Sequence, residues 1–129
     1  MKACIDLHRH DDYSLFDGLG KPMELARLAK ELGYEALASS NHGTASGMIE
    51  HYLACKEAGI KPVMGVEVYF MPKFKEVTKR YHLCLFCKDL TGYKNLNRIL
   101  SYANMHNYYY KPIVTFELLE KYSEGLICT

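Results

Sequence analysis

Histidines and carboxylates recur along this sequence at spacings that suit metal binding. His8 and His10 stand two residues apart, and His42, Glu67 and His82 follow farther along the chain. Imidazole and carboxylate groups are common protein ligands of Zn²⁺, Mn²⁺ and iron. On an extended segment, residues two apart point to the same face, so His8 and His10 can reach one ion or two neighbouring ions. These residues therefore indicate a metal site.

Short apolar stretches, typical of β-strands, precede or contain most of these polar residues. Between the stretches, apolar residues recur at helical spacing, with Pro22 at a first-turn position and Gly33 and Gly59 at C-cap positions. The predicted strands cover residues 3–7, 36–39, 62–66, 82–87 and 125–128. The predicted helices cover residues 23–32, 45–58, 90–105 and 116–122.

The alternation of strands and helices predicts an α/β fold with mainly parallel strands and crossover helices. In an α/β barrel the C-terminal ends of parallel strands converge on one face, where active sites lie. Asp17 falls in a turn-rich loop with Gly18 and Gly20, which can fold it back over that face. We interpret His51, inside a predicted helix, and His106, at the end of another, as structural residues.

The size and charge of the chain limit its possible partners. We expect residues 1–129 to form a single domain. The 16 basic and 15 acidic residues leave a formal net charge of +1, which argues against strong nucleic-acid binding by this segment alone. No apolar run approaches the ~18 residues that a membrane span needs, so we expect no membrane partner.

The cysteines indicate a reducing compartment. Their number, five, is odd, and no charged-then-apolar leader precedes them, so we expect reduced thiols and a cytoplasmic location. Cys84 and Cys87 form an isolated C-x-x-C in an apolar predicted strand, where cysteine behaves as a small hydrophobic residue. Because no second pair stands at zinc-ribbon spacing, we interpret both as packing residues rather than ligands.

Longer stretches resemble the PHP (polymerase and histidinol phosphatase) domain at the N-terminus of bacterial DNA polymerase III alpha subunits. Residues 8–18 look like the family's first motif, commonly H-x-H-T-x-Y-S-L-L-D-G, and residues 40–43 look like its T-D-H-G. The resemblance continues through residues 59–69, 82–83, 91–96, 109–112 and 122–127. It covers nearly the whole chain and favours the polymerase branch over other PHP proteins.

The resemblance implies an α/β fold that is the N-terminal portion of a distorted (β/α)7 barrel. It implies a multi-metal site for Zn²⁺ or Mn²⁺, related to 3′–5′ exonuclease or phosphoesterase activity, within a DNA-directed DNA polymerase. The implied partners are the remainder of the alpha subunit, a proofreading exonuclease subunit, and DNA bound through the full polymerase. The metal ligands carried over from the motifs are His8, His10, Asp17, His42, Glu67 and His82.

Three positions depart from the family pattern. Asn41 stands where the family usually has Asp, and Asp11 replaces the usual Thr or Ser, so both are candidates for supporting positions beside the ligands. Ile113 replaces an Arg that often follows the Tyr-Lys-Pro segment. The family's remaining ligands would lie beyond Thr129, so we expect a truncated domain with a partial site, and weak or absent catalysis by this chain alone. Unpaired strand edges also predict self-association.

Three functions remain open from the sequence. The first is a metal-dependent phosphoesterase or nuclease module of the polymerase. The second is a non-catalytic module that braces the polymerase or docks its exonuclease subunit. The third is a free-standing phosphoesterase of the histidinol-phosphate type, which hydrolysis of a small phosphomonoester would support.

Overall fold

The computed structural model describes residues 5–75 and 79–129. Four helices and six strands occur in this part of the chain. In order they are α1 (Pro22–Glu31), β1 (Ala36–Ser39), α2 (Met48–Ala58), β2 (Lys61–Phe70), β3 (Tyr81–Cys87), α3 (Leu90–His106), β4 (Tyr108–Tyr109), β5 (Lys111–Val114), α4 (Phe116–Tyr122) and β6 (Leu126–Cys128). No helix among the described residues has the length and apolar character needed to span a membrane.

Strand β2 is the centre of the sheet. Along one edge it pairs in parallel with β1 through residues 61–64 and with β5 through Tyr69 and Phe70. Along the other edge it pairs antiparallel with β3, which in turn pairs antiparallel with β6. β4 and β5 form a short antiparallel pair. The α/β class is therefore confirmed.

The expectation of mainly parallel strands needs correction, because two strand pairs are parallel and three are antiparallel among the described residues. The connections explain the difference. Helix α2 carries the chain from β1 back to the start of β2, which makes that pair parallel. Between β2 and β3 the described residues contain no helix, so β3 returns antiparallel along its neighbour. The sheet is mixed.

The two faces of strands β2 and β3 have different roles. Val66, Val68 and Leu85 point to one face, where they form a buried cluster with Leu96 and Ile99 of α3. Each fully buried side chain of this kind stabilises the fold by about 1.5–3 kcal/mol. The alternate residues of both strands, among them the conspicuous polar ones, point to the opposite face.

Local sequence explains where the helices begin and end. Asp89 caps α3 by accepting a hydrogen bond from the Gly92 amide, and Gly59 ends α2 in the left-handed conformation. Helix α2 begins at Met48, three residues later than predicted. The Thr44 hydroxyl accepts a hydrogen bond from the Ser46 amide, which holds these residues in a turn rather than a helix.

Two other predicted elements differ from the structure. The first predicted strand, residues 3–7, falls partly outside the described residues, and residues 5–10 form no strand. This segment runs beside the end of β1, where the Ser40 amide donates a hydrogen bond to the Arg9 carbonyl. Strands β4 and β5, of two and four residues, were not predicted.

Candidate metal centre

The polar residues come from strands β2 and β3, from the end of β1 and from two loops. They meet on the face of β2 and β3 opposite to Val66, Val68 and Leu85. Glu67 lies within β2, and His82 lies within β3 next to Tyr69 in the strand register. His42 follows β1 and forms an isolated parallel bridge with Glu67. His8 and His10 arrive on the extended segment before the first loop.

Glu67 is the hub of the centre, and four imidazoles surround its carboxylate. Oε2 lies 2.6 Å from His8 Nε2, 2.7 Å from His10 Nε2 and 3.5 Å from His42 Nδ1. Oε1 lies 3.1 Å from His82 Nδ1. The Glu67 side chain is 2% exposed, so these contacts take place largely away from bulk water.

Asp17 forms a second, more exposed point of convergence. Its Oδ2 lies 2.7 Å from His42 Nε2 and 3.2 Å from His10 Nδ1. The loop turns back sharply because the amides of Asp17 and Gly18 both donate to the Ser14 carbonyl. Asp17 therefore faces the imidazoles of His10 and His42 across the mouth of the centre.

All six residues carried over as ligands lie in one cluster. Groups of donor atoms within 4.8 Å of one another, a spacing at which one ion could be bound, occur in three combinations. They are His10 with Asp17 and His42; His42 with Glu67 and His82; and His8 with Glu67 and Cys84. Such clusters of imidazoles and carboxylates suggest a divalent metal site. Cys84 was not expected among them, although its position two residues after His82 places it on the same face.

Electrostatics keep the carboxylates of the centre ionised. Burial alone would raise the pKa of Glu67, but hydrogen bonds and charges of His8, His42 and His10 outweigh it and hold that pKa below its usual value. For Asp17 partial burial is likewise outweighed, by the Ser14 hydrogen bond and by His42 and His10, so its pKa is also lowered. Metal ligands need this deprotonated form.

Burial favours the neutral form of His42, which is the form that binds metals. Desolvation lowers its pKa in spite of the charges of Glu67 and Asp17. Its Nδ1 is one of two buried side-chain polar atoms in the described residues that have no hydrogen-bond partner, and it lies 3.5 Å from Glu67 Oε2. A buried imidazole nitrogen without a hydrogen-bond partner calls for an explanation, and a bound ion supplies one, so the residues present fit a divalent ion.

Asp11 and Asn41, two of the three positions that depart from the family pattern, contact each other directly beside the centre. Asn41 Nδ2 donates to Asp11 Oδ1 at 2.6 Å, and the Asp11 amide donates to Asn41 Oδ1 at 2.9 Å. Asp11 is completely buried. In this pair position 11 supplies the carboxylate and position 41 supplies the amide.

Arg9 and His51 extend this buried polar network below the ligands. Arg9 Nε donates to the Ala38 carbonyl at 2.7 Å, and Nη2 lies 3.4 Å from both Asp11 Oδ2 and His51 Nδ1. His51 Nε2 lies 3.1 Å from the Leu37 carbonyl. Burial and then the Arg9 charge lower the pKa of His51 to about 4. His51 thus lies buried in α2, outside the ligand cluster.

A cavity of about 540 Å³ opens beside the centre. Tyr69 stacks on His42 with ring centroids 5.6 Å apart, and Lys111 Nζ lies 5.3 Å from the centre of the Tyr69 ring. Phe16, at the outer wall, is fully exposed. The cavity thus combines the metal-ligand cluster, one cation and several aromatic rings.

The α/β fold, with its mixed sheet and its centre of histidines and carboxylates, defines the class: a domain with a metal site. Sequence comparison assigns the family. Residues 6–129 match the PHP domain family, to which this chain belongs.

The DNA polymerase III subunit alpha of Borreliella burgdorferi is 42% identical over 132 aligned positions, which include 97% of this chain and 12% of that protein. The Aquifex aeolicus subunit is 43% identical over 138 positions, with 98% and 12% covered. The Helicobacter pylori subunit is 40% identical over 132 positions, with 99% and 11% covered. This chain therefore spans only about one eighth of the length of these relatives.

Solved structures share the fold. A Bifidobacterium adolescentis protein described as a metal-dependent phosphoesterase superposes with a TM-score of 0.60 at 24% identity, covering 77% of this chain and 32% of that one. An amidohydrolase from Chromobacterium violaceum, solved with bound sulfate and no metal, gives a TM-score of 0.57 at 28% identity, covering 75% and 33%.

Proposed function

We propose that this chain is the PHP segment of a bacterial DNA polymerase III alpha subunit, and that its centre binds Zn²⁺ or Mn²⁺ to act on phosphodiesters. The observation that carries the proposal is the convergence of four imidazoles on the buried Glu67 carboxylate. The alpha-subunit relatives, 40–43% identical over nearly the whole chain, supply the polymerase context. Residues 1–129 would form one domain, the N-terminal part of the PHP domain.

The proposed ligands divide by position. His8 and His82 contact the buried carboxylate of Glu67, while His10 and His42 each contact both Glu67 and Asp17. Asp11 and Asn41 would position the segment that carries His8 and His10 from below.

The chain's own residues provide for substrate binding. A bound divalent ion would polarise a phosphoryl oxygen and activate water. Lys111 would balance the phosphate charge at the cavity rim, and the exposed Phe16 ring offers a surface for a nucleobase. Stacking of this kind is worth about 1–3 kcal/mol per base. The burial of Glu67 keeps its carboxylate away from solvent.

The test combines metal analysis with a nuclease assay. The purified chain is analysed for bound metal, then incubated with single-stranded DNA and Mn²⁺ or Zn²⁺. We expect the His10→Ala variant to lose both metal and any hydrolysis, and His106→Ala, at the exposed end of α3, to keep them. Hydrolysis that survives His10→Ala would show a contaminant and contradict the proposal. Activity on a small phosphomonoester alone would favour the histidinol-phosphate type of enzyme.

A structural role is the second candidate, and one observation favours it. Glu67 joins β2 to the segment of His8 and His10 and to His82 of β3, so the centre also ties separate parts of the fold together. In this case metal would raise the melting temperature without supporting hydrolysis. The proposed partners are then the remainder of the alpha subunit, DNA bound through the full polymerase, and an exonuclease subunit. Calorimetry would detect binding of the exonuclease subunit. A cytoplasmic location accompanies either role.

A further inference from the structure

Cys84 lies directly beside the hub of the centre. It is the register partner of Glu67 in the antiparallel pair of β2 and β3. Its backbone amide and carbonyl both bond to Thr129, on the side away from β2. Glu67 and Cys84 are therefore a non-hydrogen-bonded pair, the type in which facing side chains approach most closely. His82, two residues earlier, shares the same face of the strand.

The sulfur is within reach of two proposed ligands. A ring nitrogen of His8, a carboxylate oxygen of Glu67 and Cys84 Sγ all lie within 4.8 Å of one another. Cys84 is 6% exposed and packs beside Ala38 and Phe86, so the strand holds its side chain at this position. His8, in contrast, is more than half exposed and free to adjust.

We propose that Cys84 is an additional metal ligand and that His8, Glu67 and Cys84 together bind a thiophilic divalent ion. This inference rests on the proposed metal-binding function. It goes further because it assigns one metal preference to the group that contains Cys84 and another to the group of His10, Asp17 and His42. A thiolate selects Zn²⁺, Co²⁺ or Cd²⁺ over Mn²⁺ and Mg²⁺, whereas the group of His10, Asp17 and His42 offers no sulfur.

The competing explanation is packing alone. Cysteine is commonly a small hydrophobic core residue, and Cys84 does contact apolar neighbours. Cys87 provides a matched comparison, because it lies on the same strand but on the opposite face, against the cluster of Leu85 and Leu96. A packing role would make the two cysteines equivalent in metal binding. A ligand role predicts that only the substitution of Cys84 changes metal binding.

The experiment is a Co²⁺ titration of the 129-residue chain, followed by absorption spectroscopy. Thiolate ligation produces an intense charge-transfer band in the near ultraviolet, while nitrogen and oxygen ligation produces only weak visible bands. We expect the charge-transfer band in the unsubstituted chain and in Cys87→Ser, and its loss in Cys84→Ser. Zn²⁺ affinity should fall at least about tenfold in Cys84→Ser, since even partners outside the ligand set change affinity by that factor. Mn²⁺ affinity should stay within about twofold of the unsubstituted value.

The outcomes separate this inference from the proposed function. Visible Co²⁺ bands without the near-ultraviolet band would overturn the role of Cys84 and leave the metal centre in place. A charge-transfer band that survives Cys84→Ser would do the same. Absence of any Co²⁺ binding would overturn both. Circular dichroism verifies the fold of each variant, and cadmium NMR of the unsubstituted chain reports thiolate ligation without any substitution.

Discussion

Glu67 shows how a buried charge becomes tolerable at a single residue. Removing an ionised carboxylate from water costs several kcal/mol unless partners compensate. Here both oxygens contact imidazoles, and the pKa of Glu67 stays lowered although burial acts in the opposite direction. The same contacts that keep the carboxylate ionised also aim the imidazoles at one point. Stability and metal affinity therefore depend on the same atoms.

We expect Glu67→Gln to lower Zn²⁺ affinity by at least about tenfold, because it removes the charge that all four imidazoles share. Isothermal calorimetry on the two chains measures the difference. Glu57→Gln is the matched control, since Glu57 is an exposed residue of α2 that pairs with Arg27. Equal Zn²⁺ affinity in Glu67→Gln and the unsubstituted chain would contradict the assignment of Glu67 as the hub.

Asp11 and Asn41 form a pair whose members we expect to depend on each other. Asn41→Asp alone places a second carboxylate 2.6 Å from Asp11 in a fully buried site, so the free energy of unfolding should fall by about 1–3 kcal/mol. The exchanged variant Asp11→Asn with Asn41→Asp restores one acid and one amide, and should recover most of the loss. Urea denaturation of the single and double variants measures this as a double-mutant cycle. Additive losses would show that the pairing is unimportant.

His51 predicts a pH dependence of stability. In the folded chain its pKa is lowered from 6.5 to about 4, so only the unfolded chain takes up a proton between these values. The stabilisation is complete above pH 6.5 and is lost as the pH falls toward 4, by up to about 3 kcal/mol. Denaturation midpoints from pH 4 to 7, in the presence of a chelator, measure the slope. His51→Gln should flatten it and His106→Gln should not; an unchanged slope in His51→Gln would assign the effect elsewhere.

At the scale of elements, the loop from Asp11 to Gly20 is fixed by a backbone hydrogen bond and by a close glycine contact. The Asp12 amide donates to the Gly20 carbonyl, which closes the loop. Gly18 packs against the backbone of Asp11, where an added Cβ would lie 1.8 Å from the carbonyl oxygen. Only glycine fits there without moving the loop. The position of Asp17 follows from this contact.

Gly18→Ala should therefore displace Asp17 and weaken metal binding while leaving the sheet intact. We expect a loss of about 1–3 kcal/mol in the free energy of unfolding, typical of overpacking, together with lower metal affinity. Thermal denaturation and calorimetry measure the two effects. Leu19→Ala, at an exposed neighbouring position, is the control. Unchanged metal affinity in Gly18→Ala would mean that Asp17 is not required.

Most helices and strands followed from local sequence, because helical periodicity, glycine caps and apolar runs are short-range signals. Helix α4 matches its prediction, and α1 and α3 match within one residue at each end. The orientation of β3 did not follow, since it depends on how the segment after β2 turns. The role proposed for Cys84 was also missed. Its register opposite Glu67 is a contact between strands, which no window of the sequence contains.

For the whole molecule, strand β6 leaves an apolar edge. It pairs with β3 on one side, and no other strand of the described residues pairs with it. Ile127 is half exposed and lines a groove of about 670 Å³ with Ile49, Met64 and Leu90. An edge and an apolar groove at the same place favour association between copies of this chain.

We expect concentration-dependent self-association of the purified chain, and Ile127→Lys should weaken it at least about tenfold, the effect of 1.4 kcal/mol. The lysine charge would oppose both edge pairing and burial of the groove. Sedimentation velocity over a range of concentrations gives the dissociation constant. Met105→Lys, an exposed position at the end of α3, should leave association unchanged. A chain that stays monomeric throughout would refute the prediction.

Strand β2 has one further consequence for the molecule. It is paired along both edges and carries Glu67 between the residues that pair with β1 and those that pair with β5, so the hub belongs to the strand that pairs with three others. Segments of this kind open only when the whole structure opens, whereas loops open locally at little cost. The loop that carries Asp17 can therefore open locally, whereas the strand that carries Glu67 cannot. Entry and exit of small solutes would proceed through the loop, with the strand as the fixed wall.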